Sequence, residues 1–157
     1  MVETGVTHGV TSRFVLEALE RNSKGHLCSI DRPPIETEWQ SQIGMVVDDK
    51  SRHRWTYIRG SNRQRLPELL SKLGRVDLFM HDTLHSERNA RFEVDSAWHV
   101  MPRGGAIDVD DVDINKGFRR FTRAYSCHDS LVCESEPNRP HLRRFNKKGL
   151  FGIIRKR

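Results

Sequence analysis

The sequence predicts an α/β fold: a Rossmann-like, mostly parallel seven-stranded sheet with a C-terminal antiparallel hairpin and helices on both faces. Three observations predict it. Short apolar runs alternate with helical patterns as far as Val109, and strands joined through helices are driven into right-handed parallel crossovers. The last two apolar runs have only a polar loop between them, which makes them antiparallel. A chain of 157 residues has enough length for one core and too little for two ordinary domains. Residues 1–157 are therefore read as a single domain, with 122–157 as its basic hairpin.

Met1–Gly5 is the first strand and breaks at glycine. Ser12–Asn22 reads as a helix, capped by Ser12, with Phe14, Val15, Ala18 and Leu19 on its buried face. Gly25 ends it. His26–Ile30 is the second strand, stopped by Asp31 and the Pro33-Pro34 pair, and Pro33–Asp49 carries no readable pattern. Arg54–Ile58 is rich in β-formers and closes at Gly60. Ser61–Leu73 is helical, with Leu66, Leu69, Leu70 and Leu73 on one stripe and Gly74 beyond its end. Val76–Met80 is a strand. In Ser86–Met101, a helical stripe of Ala90, Val94, Ala97, Trp98 and Met101 points to core, and Trp55 is read as core as well. Pro102 and Gly104-Gly105 turn the chain into Ala106–Val109. Ser130–Cys133 and Leu150–Ile154 form the hairpin.

Composition excludes several classes. Hydrophobic residues make up 36% and charged residues 31%, with a mean hydropathy of −0.68, a soluble globular balance. No apolar run approaches the ~18 residues of a membrane helix, and the opening residues lack the layout of a signal peptide. A cytoplasmic protein is expected. Cys28, Cys127 and Cys133 contain no CxxC pair, so reduced thiols are expected. The net charge of +6 sits at one end: residues 119–157 hold 11 basic and 3 acidic residues, a net +8, which leaves −2 for the rest. Such a basic tail is a solvated end rather than a nucleic-acid-binding domain.

In open α/β sheets, ligands bind beyond the carboxyl ends of the strands. There the sequence places Glu3-x-Gly5-x-x-x-Gly9-x-x-Ser12, a tight turn opening onto a helix N-terminus. Asp31 ends the second strand, where it can accept hydrogen bonds from a ribose diol. Together they favour a nucleoside-containing ligand, and the missing GxGxxG argues against NAD. Gly60-Ser61, His81-Asp82-Thr83-Leu84-His85 and Asp108-Val109-Asp110-Asp111 follow later strands. Asp82, Asp110 and Asp111 are hard oxygen donors suited to Mg²⁺. His85 can act as a general base near neutral pH, whereas His81 alternates with Asp82 and packs on a face of the sheet.

These motifs, with IDRPP, RWTYIRGS, LPELLSKLGRVDLFMHDTLH and PRGGAIDVDD, resemble the class I S-adenosylmethionine-dependent methyltransferases. More narrowly, they resemble the small bacterial branch similar to catechol O-methyltransferase. The resemblance runs over roughly residues 1–121. It implies that Glu3, Gly5, Gly9 and Ser12 line the methionine part of S-adenosylmethionine and that Asp31 holds the ribose. By the same resemblance Gly60 and Ser61 lie beside the adenine, and Asp82 faces the cofactor. It implies a metal at Asp82, Asp110 and Asp111. His85 stands where the branch has a lysine base, so His85 and Asp82 are the catalytic candidates.

The implied activity is methylation of a small hydroxylated molecule, with nucleic acid disfavoured as a substrate. The family's upstream cap segment is expected to be missing from this chain, which makes a pocket completed in a homodimer plausible. Competing readings are a cofactor-binding remnant without activity, an RNA or polyanion methyltransferase and, last, a metal-dependent hydrolase built on His81-Asp82.

Overall fold

The computed structural model describes residues 1–32, 37–126, 128–134 and 149–157. Pro33-Pro34, Cys127 and the polar loop of the hairpin lie outside the described residues. The chain falls into two compact units, Met1–Leu73 and Gly74–Arg157. Seven strands make the mixed, mostly parallel sheet, as the alternation of patterns predicts. Among the described residues, no helix is long and apolar enough to cross a membrane, and Cys28 and Cys133 are free thiols.

The first unit carries β1 (Val2–Thr4), β2 (Leu27–Asp31) and β3 (Trp55–Arg59), all parallel, in the order β3-β2-β1. Val2 pairs with Cys28 and Leu27 with Trp55, which brings the carboxyl ends of these strands to a common edge. Helix α1 spans Val10–Arg21; a four-residue helix, α2, spans Thr37–Gln40; a 3-10 segment spans Asp49–Arg54; α3 spans Asn62–Leu73.

Two expectations for α1 are corrected. The helix starts at Val10 with Gly9 as its N-cap, so Ser12 sits inside the first turn and does not cap it. Its buried face is Ser12, Leu16 and Leu19, spaced i, i+4, i+7, while Phe14 is 69% exposed and Ala18 also faces outward. The expected stripe was rotated because Phe14 and Val15 look like core by hydrophobicity alone. Leu16 and Leu19 instead meet Leu27 and Val47, with Met1, Val15 and Trp55 at the margin. In α3, Leu66, Leu69 and Leu70 are buried as expected, but Leu73 is exposed at the helix end.

The second unit carries β4 (Leu78–His81), β5 (Ala106–Val109), β6 (His128–Glu134) and β7 (Leu150–Lys156), in the order β4-β5-β7-β6. β4 and β5 are parallel, and β7 runs antiparallel to both β5 and β6. β4 starts later than the pattern predicts. Val76 is buried but precedes the ladder, and His81 belongs to the strand. Helix α4 spans Glu87–Val100, and its whole predicted stripe is buried.

Helix α5 (Gly117–Ala124) was not expected, so the hairpin begins at His128 rather than 122. Phe118 and Phe121, one turn apart, are buried between arginines that had marked the segment as basic tail. Phe121 meets Trp98 edge-to-face at 5.3 Å and stacks on Tyr125 at 4.6 Å. Gly152 of β7 leaves the space that Phe118 fills, because a Cβ there would stand 2.3 Å from its ring. Lys156 closes the far end of α4: its Nζ donates to the carbonyls of Trp98 and Met101 at 2.9 and 2.8 Å.

Candidate functional site

In the first unit, the turn from β1 to α1 is built from backbone that most side chains disfavour. Gly5, Thr7 and Gly9 have φ of 90°, 50° and 84°. A Cβ on Gly9 would lie 2.8 Å from Cα of Gly44, so the glycine also permits a close backbone approach. The 42–47 segment braces this turn: the amides of Gly44 and Val46 donate to the carbonyls of Thr7 and His8 at 3.0 and 3.1 Å.

Asp31, at the carboxyl end of β2, fastens the turn. Its Oδ2 accepts from the amides of Val6 and Thr7 at 2.9 and 3.0 Å. Both bonds use one oxygen of the carboxylate, which borders a cavity of about 250 Å³ lined by Thr7, His8, Arg32, Trp39, Gln42 and Ile43. Gly60 donates its amide to the Asp31 carbonyl at 2.9 Å, and Ser61 stands just before α3, its carbonyl accepting from the Arg65 amide. A carboxylate, an amide side chain and an indole around one concave space suit a nucleoside: acceptors for a sugar diol and a flat apolar face. Trp39, Gln42 and Ile43 lie in the stretch that has no readable sequence pattern. A tryptophan and a glutamine close behind a strand-ending Asp were the available signal.

Glu3 and Ser12 meet in the interior. The Glu3 side chain, 2% exposed, accepts hydrogen bonds from the hydroxyls of Ser12 and Ser29. Ser29 in turn accepts from Trp55 Nε1 at 2.7 Å. This buried carboxylate ties β1, β2, β3 and α1 together, a structural task the sequence did not disclose.

In the second unit, the carboxyl ends of β4 and β5 bring Asp82, His85, Asp110 and Asp111 together. His85 Nε2 stands 3.8 Å from an Asp82 oxygen and 3.7 Å from an Asp111 oxygen. Among the described residues, the group whose donor atoms all lie within 4.8 Å of one another is Asp82, His85 and Asp110. Compared with the predicted metal set, His85 replaces Asp111, whose backbone turns through a positive φ of 51°. Burial and then repulsion from Asp110 raise the Asp82 carboxyl above the ordinary value. Asp108, which sequence reasoning left aside, is pushed up to about 6, first by burial and then by Asp110 and Asp82. One of its oxygens is buried without a partner among the described residues. Crowded carboxylates of this kind hold protons or a cation, and the imidazole between two of them can take a proton with the resulting charge neutralised. His81 is 1% exposed and lies inside, as its alternation predicts.

A protein-family model described as a methyltransferase domain matches residues 2–112. The chain matches no curated protein. Among solved structures it is similar to the O-methyltransferase TomG of Streptomyces achromogenes in complex with SAM, with a TM-score of 0.75 and 14% identity. That match covers 99% of this chain and 71% of that one. It is likewise similar to an O-methyltransferase from Bacillus cereus in complex with SAH (TM-score 0.72, 13% identity, 99% and 73% covered). A third is an rRNA methylase from Streptococcus thermophilus (TM-score 0.66, 9% identity, 99% and 85% covered). At these identities the likeness is one of fold.

Proposed function

The chain belongs to the methyltransferase-domain family, as a class I S-adenosylmethionine-dependent methyltransferase of the catechol O-methyltransferase-like type, and on that premise we propose that it methylates a hydroxyl oxygen of a small molecule. When bound, S-adenosylmethionine supplies a methyl group activated by its sulfonium. The observation that carries the reading is His85, poised between the carboxylates of Asp82 and Asp111 at the strand ends.

In this reading the first unit holds the cofactor. Asp31 accepts hydrogen bonds from the ribose hydroxyls while its Oδ2 keeps the glycine turn in shape. Gly5 and Gly9 let the backbone approach the methionine part, and Gly60 and Ser61 stand on the adenine side. The cavity beside Asp31, with Trp39 and Gln42 in its lining, fits a nucleoside in size and chemistry.

The second unit acts on the acceptor. His85 takes the hydroxyl proton at Nε2, and Asp82 and Asp111 neutralise the imidazolium that results. Its share of the rate is one proton transfer plus positioning of the acceptor oxygen. A divalent cation held by Asp82 and Asp110, with Asp111 as a further donor, would extend the same proposal and leave His85 as the base. Such a cation would orient the acceptor and relieve the repulsion that raises Asp82 and Asp108.

The test is calorimetric titration of S-adenosylmethionine and S-adenosylhomocysteine into the protein and into Asp31→Ala, with and without Mg²⁺. Binding to the wild type that weakens at least about tenfold in the variant supports the reading, since one charge-assisted hydrogen bond is worth about 1.5–3 kcal/mol. A folded wild type that binds neither ligand refutes it. Affinity that rises with Mg²⁺ and is abolished in Asp110→Ala supports the cation; indifference to Mg²⁺ removes it.

A further inference from the structure

We propose that Glu93 and Asn89 are positioning residues for the loop between β4 and α4, holding Asp82 and His85 in place through Thr83, Leu84 and His81. The inference rests on the acceptor-side reading above and deepens it.

Glu93 occupies a core position. It falls on the stripe of Ala90, Val94, Ala97 and Trp98, where an aliphatic side chain would complete the packing, and its side chain is 0% exposed. A carboxylate is strongly disfavoured in such a place unless every oxygen is satisfied, and here both are. Oε2 accepts from His81 Nδ1 at 2.7 Å. Oε1 accepts from Asn89 Nδ2 at 2.8 Å and from the Thr83 hydroxyl at 3.1 Å. The same Asn89 amide reaches Thr83 Oγ1 at 3.1 Å and the Leu84 carbonyl at 3.2 Å.

The partners of this pair are the loop itself. Thr83 is held by its hydroxyl and Leu84 by its carbonyl, while the His85 carbonyl accepts from Asn115 Nδ2 at 3.1 Å. Asp82 precedes the first anchor, and the His85 side chain projects beyond the last. Glu93 also reaches His85 by a second route. The His81 ring, fixed by its bond to Glu93, meets the His85 ring edge-on at 5.9 Å between centroids. A network built only to fill the core would have no need to fasten two successive loop residues, Thr83 and Leu84. This one fixes the backbone on which the two catalytic candidates stand, as outer hydrogen-bonding partners do for reacting groups elsewhere.

The variants are Glu93→Gln and Asn89→Ala. The first keeps shape but puts an amide where two acceptor oxygens stood, so the His81 Nδ1–H or the Thr83 and Asn89 arm loses its partner. The second leaves the Glu93–His81 bond intact. Each is read by S-adenosylhomocysteine binding, by methyl transfer to catechol as a probe acceptor with kcat normalised to titrated sites, and by NMR of the Thr83–Ser86 amides and the His81 ring nitrogens.

The expected result is a kcat lower by about 10- to 100-fold in both, the cost of a misplaced reacting group, with cofactor affinity within about twofold of wild type. The loop amide signals shift in both, and the His81 nitrogens change only in Glu93→Gln. If Glu93→Gln does not fold, Asn89→Ala carries the test alone. Folded variants with wild-type normalised kcat and unmoved loop signals overturn the proposal, and so does lowered stability with kcat unchanged. Should the wild type transfer no methyl group while the loop signals move as expected, the placement stands and the methyl-transfer reading is what fails.

Discussion

Asp108 offers a test of the acidic strand edge that needs no ligand. Its carboxyl is raised to about 6 from the ordinary 3.8, with burial the first cause and the charges of Asp110 and Asp82 behind it. Between those two values the folded chain holds a proton that the unfolded chain has released. Stability therefore falls as pH rises from about 4 to 6 and stays reduced above that. A shift of that size corresponds to about 3 kcal/mol, and solvent screening of a carboxyl that is only partly buried reduces it to about 1–2 kcal/mol. Asp108→Asn removes the charge at every pH. At pH 7.5 the variant should be more stable than wild type by about 1–2 kcal/mol, or about 3–6 °C in Tm for a chain of this length. At pH 4 the two should coincide. Thermal melts across pH 4–8, with EDTA to strip cations from the neighbouring aspartates, measure the difference directly. Asp82 is present in both proteins, and because its charge is one cause of the Asp108 shift, the difference between them includes the Asp108–Asp82 repulsion. A difference independent of pH, or a variant melting lower at pH 7.5, would refute the reasoning.

Other substitutions probe the remaining supports. Gly9→Ala puts a side chain on a backbone with φ of 84° and 2.8 Å from Cα of Gly44. It should cost about 2–3 kcal/mol in denaturant unfolding and weaken S-adenosylhomocysteine binding. Glu3→Ala strips the shared acceptor from the buried hydroxyls of Ser12 and Ser29 and leaves a void; a loss of about 3 kcal/mol or more in chemical denaturation is expected. Lys156→Met removes the donor to the carbonyls of Trp98 and Met101, together with the ammonium that lies 4.8 Å from the centre of the Trp98 ring. A loss of about 1–2 kcal/mol is expected, with cofactor binding unchanged by calorimetry.

Much of the architecture is legible in the residues because its signals are local. Alternation of apolar runs with helical stripes marks β1 through β5, and glycine, serine or proline punctuates their ends. The lack of a helical pattern in the sequence between the last two apolar runs predicts an antiparallel pair, as β6 and β7 are. Where a pattern was short or crowded by charge, it was lost. The two phenylalanines of α5 sit among arginines, and Phe14 of α1 imitates a core residue while facing solvent.

The candidate site divides along the same line. Asp31 and the glycine turn are readable because a strand end followed by special backbone chemistry leaves its mark in sequence. That a single oxygen of Asp31 holds the turn, and that Trp39 and Gln42 join it around one cavity, depends on where a patternless segment returns.

By itself, then, the sequence determined the fold class, the strand edge where the candidate site lies and the residue types gathered there. Only the tertiary structure decided which partners those residues take: Glu3 with Ser12 and Ser29, His85 in the close group with Asp82 and Asp110, and Glu93 beneath the loop that presents them. The reason is physical. Periodicity and turn preference act over a few residues, so they can be read along the chain. A buried carboxylate is satisfied by whatever donors the packed elements bring within 3 Å, and packing sets that proximity.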